Sequence, residues 1–519
     1  MRDCRARFLL RTFFAALLSL GAIAVAASST QDRHVVVVVW DGMRPDFVSE
    51  QNTPTLWKLA QSGVTFRNHH SVYPSATIVN GTAINTGVYP NRSSVLANHD
   101  YLPQIDSRKS IDVENVAVVR KGDELSGRKY IQVPTIAELV HDHGGQSAIA
   151  SAKTVGLLFD RHRDSRGGQN IFAGEAHPQD AADSIVKMLG AFPPATQPAD
   201  RDVWTAKALT DSFWEKGIPQ FSLLWLSEPD DTEHKTAPGA PAAIAAIKSS
   251  DDNLARVLAA LDRSRGGGTR SATDVFVVSD HGFSTIGRAI DVRKILRDAG
   301  FDAMIEFTSE PKSGQVLIVG NGGTVLFYVI GHETAVTRRL VEFLQQTDFA
   351  GVIFTREEME GTFTLDKATI DNEHAPDVEM AFRWNENKNQ FGVAGMMDGD
   401  WQRAAGKGTH ATLSKFDMHN VLIAAGPDFR RGEMDELPSG NVDLAPTILA
   451  ILGIKSAASM DGRVLAEAMS AGELMPAQAA KETMEASKKF PAGTWHQQLQ
   501  VSRMGSTAYF DEGNGAFTR

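Results

Sequence analysis

The sequence predicts an α/β fold: a doubly wound, mostly parallel sheet carrying a smaller α+β cap insertion. Three runs point to it. His34-Val-Val-Val-Val-Val-Trp-Asp41 is an unbroken β-branched stretch that ends in an acid and is followed by Gly42. A run apolar on both faces suits a central parallel strand. Phe221-Ser-Leu-Leu-Trp-Leu226 and Asp274-Val-Phe-Val-Val-Ser-Asp280 are two more runs of this kind, each delivering acids at its carboxyl end. Helical patterns alternate with such strands, the rhythm of a doubly wound sheet whose ligands gather beyond the carboxyl ends of its strands.

The first thirty residues stand apart from that rhythm. Arg2, Arg5, Arg7 and Arg11 make a basic start, residues 8–26 are almost wholly apolar, and Ala24-Val25-Ala26 has the form of a cleavage site. Residues 1–26 therefore read as a secretory signal peptide and the mature chain as periplasmic or secreted; the rival reading is an uncleaved N-terminal anchor. Cys4, the only cysteine, lies in this segment. The mature chain then has no disulfide, thiolate ligand or cysteine nucleophile, so metal or acyl chemistry rests on His, carboxylates and hydroxyls. Cleavage removes four Arg and one Asp, taking the formal charge from −11 to −14. Stable nucleic-acid binding, which needs a basic footprint, is disfavoured. No later segment is long and apolar enough for a membrane span.

In the mature chain, Pro54 opens a short helix over residues 53–62 that Gly63 closes. Residues 64–73 read as a second strand, and the stretch Val-Tyr-Pro-Ser-Ala-Thr77-Ile-Val-Asn leads into a helix with Thr77 in its first turn. Unpaired N–H groups and the positive end of the dipole favour an anion there, although a lone Pro-Ser-x-Thr is ordinarily a plain cap. A helix follows over 135–143, stopped by Gly144-Gly145, then a strand over 146–152, a helix over 182–189, a Pro- and Ala-rich loop over 191–200 and a helix over 202–214. Residues 249–264 form an amphipathic helix and 266–268 a flexible glycine turn. Between about 285 and 400 the pattern changes: strands at 316–319, 324–330, 352–356 and 378–384 with one helix at 335–345 form the cap. A strand at 420–425 and a helix at 443–452 resume the main rhythm, and 495–510 alternates as an edge hairpin. The expected organisation is a catalytic unit of residues 32–284 and 401–470, a cap over 285–400 and an extension over 471–519.

Four separated clusters of hard-metal ligands appear, three of them just after a strand: Asp41; Glu-Pro-Asp230-Asp-Thr-Glu-His234; Ser-Asp280-His281-Gly282; and Gly-Thr-His410. Asp230 and His234, four apart, face one way on a helical turn. Adjacent Asp280 and His281 can reach one site only from an irregular turn, which Gly282 supplies. Each cluster alone reads as a cap or turn residue. Together they supply two carboxylates and a His for one ion and a carboxylate and two His for another, good chemistry for two Zn2+ without thiolates.

With these segments in view, the chain resembles the type I phosphodiesterase/nucleotide pyrophosphatase family of the alkaline phosphatase superfamily. Tyr-Pro-Ser-Ala-Thr77, Asn85-Thr-Gly-Val-Tyr-Pro90 and the late Asp443-Leu-Ala-Pro-Thr and Asp461-Gly-Arg-Val-Leu465 runs add to the likeness, which covers most of residues 34–466. The resemblance implies an alkaline-phosphatase-like fold, one zinc on Asp230, His234 and His410, and the other on Asp41, Asp280 and His281. It further implies Thr77 as a metal-bound nucleophile forming a phosphothreonine, and Asn98 as the ligand of a phosphoryl oxygen, with His99 left structural. The expected activity is that of an exported phosphodiesterase or nucleotide pyrophosphatase acting on a small-molecule phosphate ester or nucleotide. A phosphomonoesterase or phosphonate hydrolase on the same site, and a catalytically silent metal or phosphate binder, are the alternatives; a sulfatase is disfavoured by the missing nucleophile context.

Two departures concern the leaving-group pocket. Ser93-Ser94 stands where the family has His-Gly before its asparagine, and Gly-Thr-His410 continues Ala-Thr-Leu instead of Gly-Tyr-Asp. In Ser151-Ala-Lys153-Thr-Val155, Lys153 takes the first position of a cation pair that monoesterase branches use for dianionic phosphate, and Val155 replaces the second. Half a pair tilts the expectation toward diesters, and the plain reading of Lys153 is a solvated surface lysine.

Overall fold

Five consecutive valines set the centre of the molecule. The strand His34–Trp40 is buried along its whole length, and pairs in parallel with Thr273–Val278 on one side and Phe221–Leu226 on the other. The computed structural model describes residues 33–162, 168–264, 269–472 and 478–519; the signal-peptide segment with Cys4 and the turn at 266–268 lie outside the described residues. Alternate valines point to opposite faces of the sheet. Val35, Val37 and Val39 join Ile78, Ile84, Leu444 and Ile448 in one core layer. Val36 and Val38 join Leu56, Leu59, Ile247 and Leu254 in the other. Full burial of such a side chain stabilises the fold by roughly 1.5–3 kcal/mol, which is why an uninterrupted valine run belongs only at the middle of a two-sided sheet.

Among the described residues the main sheet holds nine strands, in the order Glu433–Asp435, Val64–Phe66, Leu422–Ala425, Thr273–Val278, His34–Trp40, Phe221–Leu226, Ser147–Ser151, Gly168–Phe172 and Glu175–His177. The expected parallel order holds from Thr273–Val278 to Gly168–Phe172. Outside that block the sheet is mixed: Leu422–Ala425 runs antiparallel to both neighbours, and Glu175–His177 antiparallel to Gly168–Phe172. The reason lies in the connection. The chain re-enters the sheet from the loop bearing His410, on the carboxyl side, and has no crossover to carry it to the opposite edge.

Two helices begin earlier than periodicity indicates. The 249–264 helix starts at Pro241 and runs to Arg263, and a helix over Pro198–Lys207 opens inside the expected 191–200 loop before continuing through six π-helical residues. Both have proline at the first helical position, where its missing N–H costs nothing. Asp251 on the long helix accepts the N–H groups of Thr55 and Leu56 at 2.9 Å each, capping the helix Pro54–Gln61 against it. The Thr77–Thr86 helix is buried on every side, with one face on the main sheet and the other against Met504 and Tyr509.

Residues of the expected cap build a six-stranded sheet, running from Ala303–Met304 through Val316–Gly320, Thr324–Val329, Val378–Phe382 and Ala350–Thr355 to Phe363–Thr364. A four-stranded sheet, in which Ser284–Ala289 pairs with Gly408–Thr409, links it to the loops at the head of the main sheet. The expected hairpin over 495–510 is part of a larger unit of three antiparallel strands, Ala480–Phe490, Gly493–Met504 and Thr507–Thr518, the last two joined by a tight turn. The strand Ala480–Phe490, rich in Lys and Glu, is mostly exposed and half-buries only every second residue from Met484 onward. Trp495 from the middle strand is fully buried in the core of the six-stranded sheet, donating Nε1–H to the Gly361 carbonyl at 2.9 Å. Gln497 takes both backbone groups of Ile353.

Trp495→Ala should therefore lower stability by about 3–5 kcal/mol, read by urea unfolding; a change below about 1 kcal/mol would make the terminal sheet a passive appendage. A pH effect follows from Glu379 in the strand Val378–Phe382. Burial pushes its carboxyl from 4.5 up to about 8. The folded chain keeps this proton while the unfolded chain has lost it, so between pH 4.5 and 8 the residue should subtract about 1.4 kcal/mol of stability per pH unit. Glu379→Gln should gain stability over wild type at pH 8 and little at pH 5, and parallel pH profiles would contradict this.

Candidate active site

Each ligand cluster sits where a strand or a short hairpin stops. Asp41 ends the central strand, and Gly42 turns the chain with a φ of 74° so that its N–H donates to Asp280 Oδ1 at 3.0 Å. His281 N–H donates to the same oxygen at 3.0 Å. Gly282 is required by close approach: a Cβ there would lie 2.0 Å from the Phe416 carbonyl oxygen. After Phe221–Leu226, the one-and-a-half-turn helix Asp230–Lys235 places Asp230 Oδ1 3.3 Å from His234 Nε2. His410 follows Gly408–Thr409, its Nε2 3.5 Å from Asp230 Oδ1. The His281 and His410 rings stack at 3.7 Å.

The three histidines share one orienting device. His234 Nδ1 donates to the Gly408 carbonyl at 3.1 Å, His281 Nδ1 to Gly282 at 2.9 Å and His410 Nδ1 to Ser75 at 2.8 Å. A carbonyl only accepts, so each Nδ1 carries a proton, and in the neutral ring the Nε2 lone pair faces the carboxylates, the arrangement of metal-ligating histidine. Burial lowers the pKa of His234 and, joined by neighbouring His281, holds His410 well below the ordinary value. Both are thereby kept neutral and able to coordinate.

The carboxylates need a cation. Burial and the charge of Asp280 raise Asp41, and burial lifts Asp280 to about 7. For Asp230 burial acts upward but is outweighed by His234 and Lys153, which hold it well below the usual range. Asp230 Oδ1 and Asp280 Oδ2 are buried without a hydrogen-bond partner, and Asp280 Oδ2 faces His281 Nε2 at 3.3 Å. Ligand atoms on a tetrahedral zinc at 2.0–2.1 Å stand about 3.3 Å apart. The donor set and its spacing thus fit a divalent cation. Asp41, Asp280 and His281 offer one set of ligand atoms within 4.8 Å of one another, and Asp230, His281 and His410 offer a second; His234 lies in neither set and meets Asp230 Oδ1 at 3.3 Å.

Thr77 is the first residue of its helix, after Ala76. Its hydroxyl is buried 3.3 Å from His281 Nε2 and 3.4 Å from Asp41 Oδ1. Asn98 Oδ1 accepts the N–H of Ile78 at 2.9 Å, so one of the helix-start donors expected to face a phosphate is already used. Lys153 is not a solvated surface lysine. Its side chain is 11% exposed, and Nζ lies 2.6 Å from Asp230 Oδ2 and 3.0 Å from Asp41 Oδ2, bridging the two clusters. Burial opposes that charge, but Asp230 and Asp41 outweigh it and hold the Lys153 pKa well above the ordinary value. Val155 packs in the core beneath the Thr77 helix, where a Cβ on Gly81 would meet it at 2.4 Å; a cation at that position would face apolar side chains.

Sequence reasoning missed the supporting residues. Trp225, fully buried in its strand, donates Nε1–H to Asp41 Oδ2 at 2.9 Å. Asn80 holds the Val72 backbone from both sides, at 2.6 and 3.0 Å, and Asn441 bridges Asn80 to the Asp280 carbonyl. None has a signal beyond residue type. A cleft of about 150 Å³ opens over Thr77, Asn98, Lys153 and His410, its outer wall including Glu114, Asp231 and Arg403.

Carboxylates and histidines gathered at the carboxyl edge of the parallel strands, beside a buried hydroxyl, make a candidate divalent-metal site. Residues 35–385 match the family model for Type I phosphodiesterase / nucleotide pyrophosphatase, and the chain belongs to that family. Among curated relatives, a venom phosphodiesterase of Naja atra is 21% identical over 259 residues, 49% of this chain and 26% of that protein. The human ectonucleotide pyrophosphatase/phosphodiesterase family member 5 is 21% identical over 281 residues, 54% of this chain and 50% of that one. The chain spans only about a quarter of the venom enzyme's length. In structure, murine ectonucleotide pyrophosphatase/phosphodiesterase 5 aligns with a TM-score of 0.58 at 17% identity, covering 83% of this chain and 97% of that one. Its human counterpart aligns at 0.59 and 15% identity, covering 85% and 100%. The murine protein has also been solved as an inactive threonine-to-alanine form in complex with AMP.

Trp225→Phe should keep the fold but weaken divalent-cation binding about 10–100-fold, since it removes the hydrogen bond that orients Asp41. Zinc titration by calorimetry reads this, and an unchanged affinity would show that Asp41 is oriented without it.

Proposed function

We propose that this protein is an exported phosphodiesterase/nucleotide pyrophosphatase-type hydrolase in which Thr77 attacks the phosphorus of a small-molecule phosphate ester or nucleotide. One observation carries the reading: a buried Thr77 hydroxyl at a helix start, 3.3–3.4 Å from His281 and Asp41, at the floor of the cleft. Asp41, Asp280 and His281 would hold one divalent cation and Asp230, His234 and His410 the other. Zinc suits this nitrogen and oxygen donor set. Bound there, two such ions supply Lewis acidity and neutralise charge during an in-line phosphoryl displacement.

The chain's own groups do the rest. Thr77 Oγ1 forms the new P–O bond as the ester P–O bond breaks, and the leaving alcohol departs with a proton. Thr77 then carries the phosphoryl group, still esterified to its second alcohol when the substrate is a diester. Water cleaves that bond and restores the hydroxyl. Asn98, fixed through its carbonyl oxygen on Ile78, keeps its amide nitrogen to donate to a non-bridging oxygen, an effect worth about 3–4 kcal/mol for a well-placed donor. The His281 and His410 rings stack on one another and pack against Phe283, which holds both histidines in place. The inactive threonine-to-alanine relative in complex with AMP supports both the nucleophile and a nucleotide-sized substrate. The basic and apolar residues 1–26 support export to the periplasm or beyond.

Lys153 favours a second reading. A cation buried beside the reacting hydroxyl can also compensate the extra charge of a phosphate monoester, so monoester hydrolysis is the competing activity on the same site. Thr77→Ala should lose at least about a thousandfold in kcat while holding wild-type metal; full activity with metal bound would sink the nucleophile assignment. Lys153→Ala should cost more on an aryl monoester than on the matching diester, and equal losses would remove Lys153 from any role in discrimination.

A further inference from the structure

Outside the active site, the carbonyl–histidine–carboxylate arrangement of its three histidines recurs once among the described residues. His70, in the short strand His69–His70 that pairs with Ser439–Gly440, donates Nδ1–H to the Ser439 carbonyl at 2.9 Å. In the neutral ring its Nε2 presents a lone pair to Asp511 Oδ1 at 3.1 Å. Two acceptors at that distance repel unless something positive lies between or beside them. Asp511 is itself fixed by the Ser502 hydroxyl, at 3.0 and 2.9 Å from its two oxygens, and Tyr509 stacks on the His70 ring. His419 completes the group. Its ring centroid is 4.5 Å from that of His70, and His70, His419 and Asp511 offer one ligand atom each, all within 4.8 Å of one another. Neighbouring His69 shows the contrast: its two ring nitrogens meet the Ser439 hydroxyl and the Asn441 carboxamide oxygen, at 2.9 and 3.0 Å, an ordinary satisfied core histidine.

We propose that His70, His419 and Asp511 form a third divalent-cation site, structural in role and separate from the catalytic clusters. The donor set is two imidazoles and one carboxylate with no thiolate, which selects zinc or a similar borderline cation over calcium or magnesium. The His70 side chain is fully buried and that of Asp511 15% exposed, so the site has a closed inner side and an outer side from which an ion and a fourth, water ligand enter. The backbone argues for the role. His70 precedes Thr77 by seven residues in the segment whose Ser75 carbonyl orients His410. His419 follows His410 by nine residues, and its own backbone bridges to His70. Asp511 belongs to the last strand, Thr507–Thr518. One ion would tie the terminal sheet to both loops that carry the reacting groups. Because none of the three residues contributes to phosphoryl transfer, the inference does not depend on the proposed activity.

The test is metal stoichiometry. The full-length mature protein, stripped with chelator and refilled with zinc, is assayed for bound metal alongside Asp511→Asn and His419→Gln. Each variant should bind one zinc equivalent fewer than wild type and lose the part of the zinc-dependent rise in melting temperature that wild type shows once two equivalents are bound. Equal zinc content and equal melting shifts in all three proteins would overturn the site, leaving a plain ion pair between a doubly protonated His70 and Asp511. Should a variant fail to fold, anomalous scattering at the zinc edge from wild-type crystals decides the matter: a peak within bonding distance of His70 Nε2, His419 and Asp511 supports the site, and its absence refutes it.

Discussion

Three aspartates, Asp41, Asp230 and Asp280, are buried almost completely within one small volume, and that crowding governs the head of the molecule. Ionised carboxylates removed from water and from counter-charge are costly, and mutual repulsion adds to the cost. The surroundings read as answers to it. Lys153 reaches between two of them, the backbone N–H groups of Gly42 and His281 serve the third, and Trp225 hydrogen-bonds Asp41. Neutral histidines face the remaining lone pairs. These contacts still leave Asp230 Oδ1 and Asp280 Oδ2 buried without hydrogen-bond partners, positions that a divalent cation would satisfy.

The strands make this crowding possible. Parallel order brings the ends of His34–Trp40, Phe221–Leu226 and Thr273–Val278 to a common edge, and a tight turn after each bends its acid inward. The loop bearing His410 reaches the same edge only because Leu422–Ala425 enters the sheet antiparallel. The irregularity of the sheet and the completeness of the ligand set therefore share one cause. The terminal strands act from the far side, packing Met504 and Tyr509 on the helix that begins with Thr77.

Much of this was legible in the amino-acid sequence, and for definite reasons. The valine run announces a central strand because a two-sided sheet buries both faces, and Asp41, Asp230, Asp280, His281 and His410, each alone an ordinary cap or turn residue, point to metal chemistry only as a set. Other features left little trace. The strand Ala480–Phe490 is largely exposed, and with Lys488 among its half-buried positions, Met484, Ala486 and Phe490 leave only a faint apolar alternation. The orientation of Leu422–Ala425 depends on where the chain comes from, which four apolar residues cannot encode. The helix turn from Pro241 is alanine-rich, and alanine marks neither face. Lys153 reads as a surface lysine until the fold brings it between carboxylates more than seventy residues away in sequence, and Trp225 reads as core until its ring nitrogen is seen on Asp41.

If charge compensation around Asp41, Asp230 and Asp280 exists to activate Thr77, the covalent bond should be visible directly. Zinc-loaded protein mixed with an aryl phosphodiester, quenched in acid within milliseconds and digested for mass spectrometry, reports which residue carries the transferred group. The expected result is a single modified peptide bearing the retained half of the diester on Thr77, rising and decaying within one turnover. Turnover with no covalent adduct, or an adduct on any other residue, would contradict the account.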